Sequence, residues 1–491
     1  MAIGSWQIVA ADDGVRRTAL TVDGLPLTLL EPVTPTADDA AGVVVAHGFA
    51  GSRSLMRAWG LALARNGYVV ALPDLAGHGA NPRALDRHGD ADIHRVEVLQ
   101  AVEVLIEHGG VQPDRIGLLG HSMGSGAVLR AGTEAPQRVA AVVAVSPTDA
   151  AVTSSRPRDL LLLAGSLEGA FVANAEDLLV RAGGRTGEPG SGQVARDLQI
   201  ITGVEHVSIL FSATAHAASI RWFDAAFDRS SPGRDGPVLI GWWVLFLMGV
   251  LTLWRSGAPS LVRVIDSQVA PARVPAPPGA ERAPLRRELL GVSAGAFGAT
   301  AVLAVGGLVV PIGALGGMAV APALALWFGL AGGVWWAIVA GPGRPTGTDA
   351  LGAALLLGIL VLAFGVLAPD VWLPWFPIPR RTAYILPLAA AIVPWTVMLA
   401  AGLRGRGGWS AVGWWAATSL ILVVGIATAA VSVPGLGFVL LLLPLFAPLL
   451  ALIVAVATPW TRTIGSPWAP GLAAAVFLGW AMAVLFPLTS G

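Results

Sequence analysis

Residues 116–134 read IGLLGHSMGSGAVLRAGTE. Ile116–Leu119 has the length and apolar character of a buried strand, and Met123–Glu134 has that of a helix. Between them lies Gly120-His121-Ser122-Met123-Gly124, a G-x-S-x-G. The pentapeptide alone is weak evidence in a chain with 61 glycines, so its flanks decide its reading. A strand running through it into a helix forces a sharp, strained turn. Such a turn lifts the Ser122 hydroxyl out at the edge of a sheet, and the small neighbours let the chain bend.

Outward from this turn, the same alternation repeats. Gly42–Ala46, Tyr68–Leu72, Val139–Val145, Leu160–Leu163 and Leu198–Ile201 read as further short strands. Helical patterns lie near Ser54–Arg65, Ile93–His108, Phe171–Arg181 and Ala213–Phe227. Fully apolar strands alternating with helices predict a mostly parallel sheet covered on both faces. Ligands bind such sheets at the carboxyl ends of the strands.

Those ends carry chemistry. The strand Val43–Ala46 leads into His47-Gly48-Phe49-Ala50-Gly51, where a backbone N–H near Phe49 can join that of Met123 to hold a developing oxyanion. Leu160–Leu163 ends in Gly165-Ser166-Leu167-Glu168, and Leu198–Ile201 ends in Gly203-Val204-Glu205-His206. A hydroxyl, a carboxylate and an imidazole, each one strand further along, is the chain order that a nucleophile, an orienting acid and a base need on this sheet.

The runs VVVAHGFAGS, ALPDLAGHGAN, IGLLGHSMGSGAVL, LLLLAGSLEGAF and ITGVEHVSILF together resemble the α/β-hydrolase family, from about Gly24 to Phe227. The resemblance implies Ser122 as nucleophile, His206 as general base, Glu168 as orienting acid, and Phe49 and Met123 as oxyanion donors. Asp74 and Gly77-His78-Gly79 resemble the family's turn after its fourth strand and are read as structural. Two departures matter. Glu168 stands where the family more often has Asp, and Asp149, just past Val139–Val145, is a rival acid. The gap between Val145 and Leu160 is too short for an inserted lid, so the site is expected to be open. His47, His78, His88, His94, His108, His121 and His216 are read as structural or surface residues. No metal cluster is visible and no cofactor is called for.

The second half of the chain has a different character. Gly236–Trp254 is an uncharged apolar run close to the roughly 20 residues of a membrane-spanning helix. Similar runs are Leu289–Pro311, Met318–Ala340, Leu351–Ala368, Ala383–Leu403, Ala411–Val431, Gly435–Ala457 and Trp468–Leu488. The chain thus divides into a hydrolase-like domain over residues 1–235 and an all-α polytopic membrane domain of eight spans over residues 236–491. Arg255–Glu288 is read as a long flexible loop. Trp254, Trp372, Trp375, Trp460 and Trp468 lie near span ends, where an amphipathic ring suits the headgroup layer. The spans hold no Asp, Glu, Arg or His, which argues against a proton-coupled transporter or an ion pump.

Composition agrees. The chain is 55% hydrophobic and 13% charged, against about 25% charged in soluble domains, which excludes one large soluble protein. Formal net charge is zero, but the first 235 residues carry 19 Arg against 26 acids, and the acidic folded half is no nucleic-acid reader. All 31 basic residues are Arg, the mark of a GC-rich, bacterial coding bias, and the absence of Cys removes thiolate chemistry.

The expectation is a serine hydrolase in a cell membrane, cleaving an ester or related acyl bond of a small or lipid-like substrate. An acyltransferase using the same residues, and a non-enzymatic transporter or scaffold with a degenerate hydrolase domain, are the alternatives. Sidedness is set by two opposing signals. No signal peptide begins at Met1, which keeps the hydrolase in the cytoplasm. Arg255, Arg263, Arg273, Arg282, Arg286, Arg287, Arg344, Arg404, Arg406 and Arg462 fall on the side opposite the hydrolase, against Arg229, Arg234, Arg380 and Arg381 on its own side. That bias places the hydrolase outside. An upstream anchor helix would reconcile the two.

Overall fold

The computed structural model describes residues 1–34, 40–86, 91–269, 283–374 and 377–490. His88, Arg273, Arg282 and Trp375 lie outside the described residues.

After a short helix α1 (Ala2–Val9), the first half builds an eight-stranded sheet. Its strands are β1 (Val15–Val22), β2 (Leu25–Pro32), β3 (Gly42–Ala46), β4 (Val69–Pro73), β5 (Ile116–His121), β6 (Ala141–Val145), β7 (Asp159–Gly165) and β8 (Ala195–Ile201). They lie in the order β1-β2-β4-β3-β5-β6-β7-β8. From β4 to β8 every pairing is parallel. The helices are α2 (Arg57–Arg65), α3 (Ala91–Gly109), α4 (Met123–Glu134), α5 (Gly169–Arg181) and α6 (Ala213–Ala226).

The period of two along the strands sorts the core into two layers. Val43, Val45, Leu119, Val143 and Leu161 face one way, towards Trp59 and Leu63 of α2 and Phe223 of α6. Val44, Leu118, Val142, Leu160 and Leu162 face the other, towards Val98 and Leu105 of α3, Val128 of α4 and Leu178 of α5. Both faces being covered explains why these strands are apolar throughout.

The hairpin β1–β2 is an addition to the six strands expected from sequence. It is antiparallel, and β2 is also antiparallel to β4. Asp23 and Gly24, with φ of 48° and 81°, make its two-residue turn, the Asp-Gly signature of a hairpin whose central residues both need positive φ.

Eight long helices follow: α7 (Leu239–Val269), α8 (Leu285–Gly306), α9 (Ala321–Val339), α10 (Gly347–Leu360), α11 (Pro379–Gly402), α12 (Trp409–Ser432), α13 (Val439–Thr463) and α14 (Trp468–Leu485). All eight expected segments are present, and each is long and apolar enough to cross a membrane. α10 continues through a π turn at Val361–Gly365. Both ends of the expected loop are helical, α8 already beginning at Leu285. The helix α7 does not stop at Trp254 but runs on to Val269, so Arg255–Val269 is helix and not loop. Arg255 and Arg263 sit on exposed positions of that extension, where a charged side chain ends no helix.

Close packing between these helices uses small residues. A Cβ on Gly295 of α8 would stand 2.2 Å from the Ala331 carbonyl oxygen of α9, so only glycine permits that approach.

The two halves share one apolar cluster and meet at specific contacts. Arg17 pairs with Asp370 at 2.8 Å, and the C-terminal stretch bridges to the loop after β4 through Leu85 and Thr489. The helical half therefore touches the sheet both at the β1 edge and at the loop past the carboxyl end of β4.

Candidate active site

At the end of β5 the chain reverses at Ser122, which holds φ 52° and ψ −120° before α4 begins. Such a conformation in a non-glycine residue costs on the order of 1–3 kcal/mol and persists only where neighbours enforce it. The flanking glycines do so. A Cβ on Gly120 would lie 2.2 Å from the Gly124 oxygen, and one on Gly124 would lie 2.5 Å from the Ala46 oxygen. The Ser122 amide donates to the Val145 carbonyl at 2.9 Å, tying the turn to β6. Among the described residues the Ser122 hydroxyl makes no hydrogen bond.

Two strand ends away, Glu168 and His206 meet. Oε2 of Glu168 lies 2.8 Å from Nδ1 of His206, and both residues are buried. The carboxylate holds the imidazole proton at Nδ1 and leaves the Nε2 lone pair available. Oε1 of Glu168 accepts the Ser146 hydroxyl at 2.7 Å and the Gly165 amide at 2.6 Å. Phe171 stacks on the His206 ring at 4.1 Å between centroids. His121, next to the serine, has its ring 4.7 Å from that of His206, and its Nε2 donates to the His206 carbonyl at 2.9 Å. Burial holds His121 well below the usual imidazole range, which suits a neutral ring with a bare Nδ1.

The chain after β3 passes over the serine. A Cβ on Gly48 would sit 3.1 Å from the Ser122 Cβ. Among the described residues neither the Phe49 nor the Met123 amide has a hydrogen-bond acceptor, so both donors are free for an oxyanion. His47 braces this loop. Its Nδ1 donates to the Gly48 carbonyl at 2.8 Å and its Nε2 accepts from the Leu75 amide at 3.0 Å. Burial lowers the pKa of His47, against a smaller opposing pull from Asp74. Asp74 itself accepts the Arg53 and Ala80 amides at 2.8 and 2.9 Å, the bracing role read from sequence.

Glu168 and His206 are thus joined directly, and the loop of Phe49 lies on the Ser122–Met123 turn, whose His121 touches His206. Asp149 joins neither group. Its side chain is 79% exposed and pairs with Arg181 at 2.6 Å, out on the surface. Sequence reasoning missed Ser146 and Phe171. Ser146 follows β6 directly, with φ 45°, and its place just past a strand was the available signal.

The expectation of an open site does not hold. Ser122 is only 7% exposed, and no insertion is needed to cover it. The Phe49 ring packs edge-on against Phe438 at 4.7 Å, at the start of α13. The helical half lies where a lid would. A groove of about 370 Å³ beside the β1–β2 hairpin contains none of these residues.

Residues 43–183 match the family described as alpha/beta hydrolase fold. The first part of the chain thus has an α/β-hydrolase fold, and eight apolar helices follow it. Among solved structures, the chain is similar to a dienelactone hydrolase from Anabaena variabilis, with 21% identity and a TM-score of 0.33 over 43% of this chain and 97% of that one. It is also similar to a protein described as a predicted CIB-like hydrolase from Thermoplasma acidophilum, with 21% identity and a TM-score of 0.34 over 44% of this chain and 98% of that one. No curated protein matches the chain.

Proposed function

We propose that this protein is a membrane-anchored serine hydrolase acting on an ester or related acyl bond. The observation that carries the reading is the buried contact of Glu168 Oε2 with His206 Nδ1, and the positive φ of Ser122 accords with it.

In this reading Ser122 Oγ attacks the acyl carbonyl as His206 Nε2 takes its proton. Glu168 holds the ring in that tautomer and stabilises the imidazolium. The Phe49 and Met123 amides receive the negative oxygen of the tetrahedral intermediate. His206 then gives its proton to the leaving group, and water, activated by the same ring, releases the acyl-enzyme. No cofactor enters any step.

Residues 236–491 are read as the membrane domain. Apolar side chains such as Leu253, Leu351, Leu386 and Val431 are more than three-fifths exposed on its helices, a surface suited to lipid and not to water. The arginine bias supports an extracytoplasmic hydrolase domain.

The test is turnover of p-nitrophenyl esters by the detergent-solubilised full chain. Hydrolysis by the wild type that disappears in Ser122→Ala and in His206→Ala supports the reading. Equal rates in all three proteins would refute it.

A further inference from the structure

Resting on that reading, we propose that the substrate is a long-chain acyl ester of a membrane lipid, which reaches Ser122 from the bilayer beneath Phe438 and not from water. The first observation is where the site faces. The oxyanion loop, whose Gly48 backs on Ser122, carries Phe49 against Phe438, and Phe438 in turn approaches Phe486 at 6.4 Å, so rings of the helical half meet the loop that crosses the serine.

That placement is fixed, not incidental. Arg381 of α11 is fully buried at the junction. Its guanidinium donates to the Gly79 carbonyl at 3.0 Å and to that of Gly77 in the loop after β4. It also donates to Ala483 and Phe486 at the end of α14, at 3.0 and 2.7 Å. One side chain thus clamps the loop beside Phe49, through His78 at 5.7 Å, to the helical half.

The second observation is depth. Phe438 immediately precedes α13, and Phe486 immediately follows α14. The ends of membrane-spanning helices lie where hydrocarbon gives way to headgroups. The ester carbonyls of a glycerolipid lie at that same level, so its scissile bond meets Ser122 without the acyl chain leaving the bilayer.

The third observation is the doorstep. Leu308 and Val309 are 80% and 83% exposed in the turn after α8, and Val431 is 72% exposed at the end of α12. Gly307 backs on Pro434 and Gly313 on Gly435, which brings these two turns together beside Phe438. Exposed apolar side chains grouped at these turns are costly in water and natural in lipid. The chemistry they suit is that of an acyl chain. The reaction balances as an ordinary hydrolysis. The Ser122 Oγ–acyl bond forms as the lipid's acyl–oxygen bond breaks, His206 passes the proton to the departing alcohol, and water returns the fatty acid.

The test uses the full chain in phosphatidylcholine nanodiscs with p-nitrophenyl esters from acetyl to palmitoyl, in the wild type and Phe438→Asp. The wild type is expected to cleave the palmitoyl ester at least 100-fold better in kcat/KM than the acetyl ester. Phe438→Asp should lower the ratio of palmitoyl to acetyl kcat/KM at least tenfold while the protein still takes the fluorophosphonate label. A wild type that labels and cleaves acetyl ester but shows no rise with chain length overturns this inference and leaves the hydrolase reading standing. So does a Phe438→Asp protein whose acetyl and palmitoyl rates fall together with its labelling preserved. A wild type that neither labels nor cleaves any ester refutes the hydrolase reading itself. If Phe438→Asp does not fold, the wild-type series alone decides.

Discussion

The hydroxyl of Ser146 donates to Oε1 of Glu168 at 2.7 Å, while the other oxygen of the same carboxylate meets His206. Ser146 follows one strand and Glu168 comes after the next, so two strand ends cooperate to aim one carboxylate. Replacing Ser146 by Ala leaves the Gly165 amide on Oε1 but removes half of its support. A hydrogen bond to a charged group is worth about 1.5–3 kcal/mol, part of which is felt in the transition state. Ser146→Ala is expected to lower kcat about tenfold with KM little changed, measured on a soluble ester.

Glu168 and Asp149 separate cleanly. Glu168→Gln keeps the shape but loses the charge that holds the Nδ1 proton, and a change of this kind costs about 10⁴ in turnover in related serine enzymes. Asp149→Asn removes only an exposed pair with Arg181 and should leave the rate unchanged. Steady-state kinetics of the two variants check this. Equal losses in both would contradict the geometry.

Gly124 is one of the two tight points of the turn that presents Ser122. A methyl group there meets the Ala46 and His47 carbonyl oxygens at 2.5 and 2.6 Å, both of them backbone. Gly124→Ala is expected to cost about 1–3 kcal/mol of stability. It should also abolish turnover, because β3 and the serine turn cannot both keep their places. Thermal unfolding and ester hydrolysis measured on one preparation check both effects.

Acid should destabilise the hydrolase domain. Burial lowers the pKa of His47, His78, His121 and His216, the last to about 4. In the unfolded chain these rings titrate near 6.5. Below that pH the unfolded state takes up protons that the folded state refuses, so stability falls as pH drops. For His216 the loss is complete near pH 4 and amounts to on the order of 3 kcal/mol. Burial raises Glu97 and Asp159, which act in the opposite sense and offset part of this. The unfolding midpoint in detergent should decrease from pH 7.5 to pH 4.5, and His216→Gln should flatten the slope. A midpoint that rises on acidification would contradict the assignment.

The strands β3 to β7 were legible because burial on both faces leaves mostly apolar residues, as in Val43–Ala46 and Leu160–Leu163, whereas the edge strand β8 carries Arg196 and Asp197 and was legible only from Leu198 on. The β1–β2 hairpin was not, since past Val15 the strand Val15–Val22 holds only half-buried and exposed positions and reads as polar. Its Asp23-Gly24 turn was the overlooked signal. Ser122, Glu168 and His206 were legible because strand order alone ranks them along the sheet edge. The part of Ser146 was hidden, because a serine after a strand gains meaning only from the carboxylate that folding brings to it. The cover over the site was hidden for a similar reason. Phe438 and Phe49 belong to different halves of the chain, and only tertiary packing sets one on the other.

The central claim is an activated serine at position 122, and covalent labelling tests it most directly. Membranes holding the full chain would be treated with a fluorophosphonate and the modified peptide identified by mass spectrometry. The account predicts one adduct, on Ser122, absent from Ser122→Ala and strongly reduced in His206→Ala. A folded wild type that takes no label, or takes it on another serine, would contradict it.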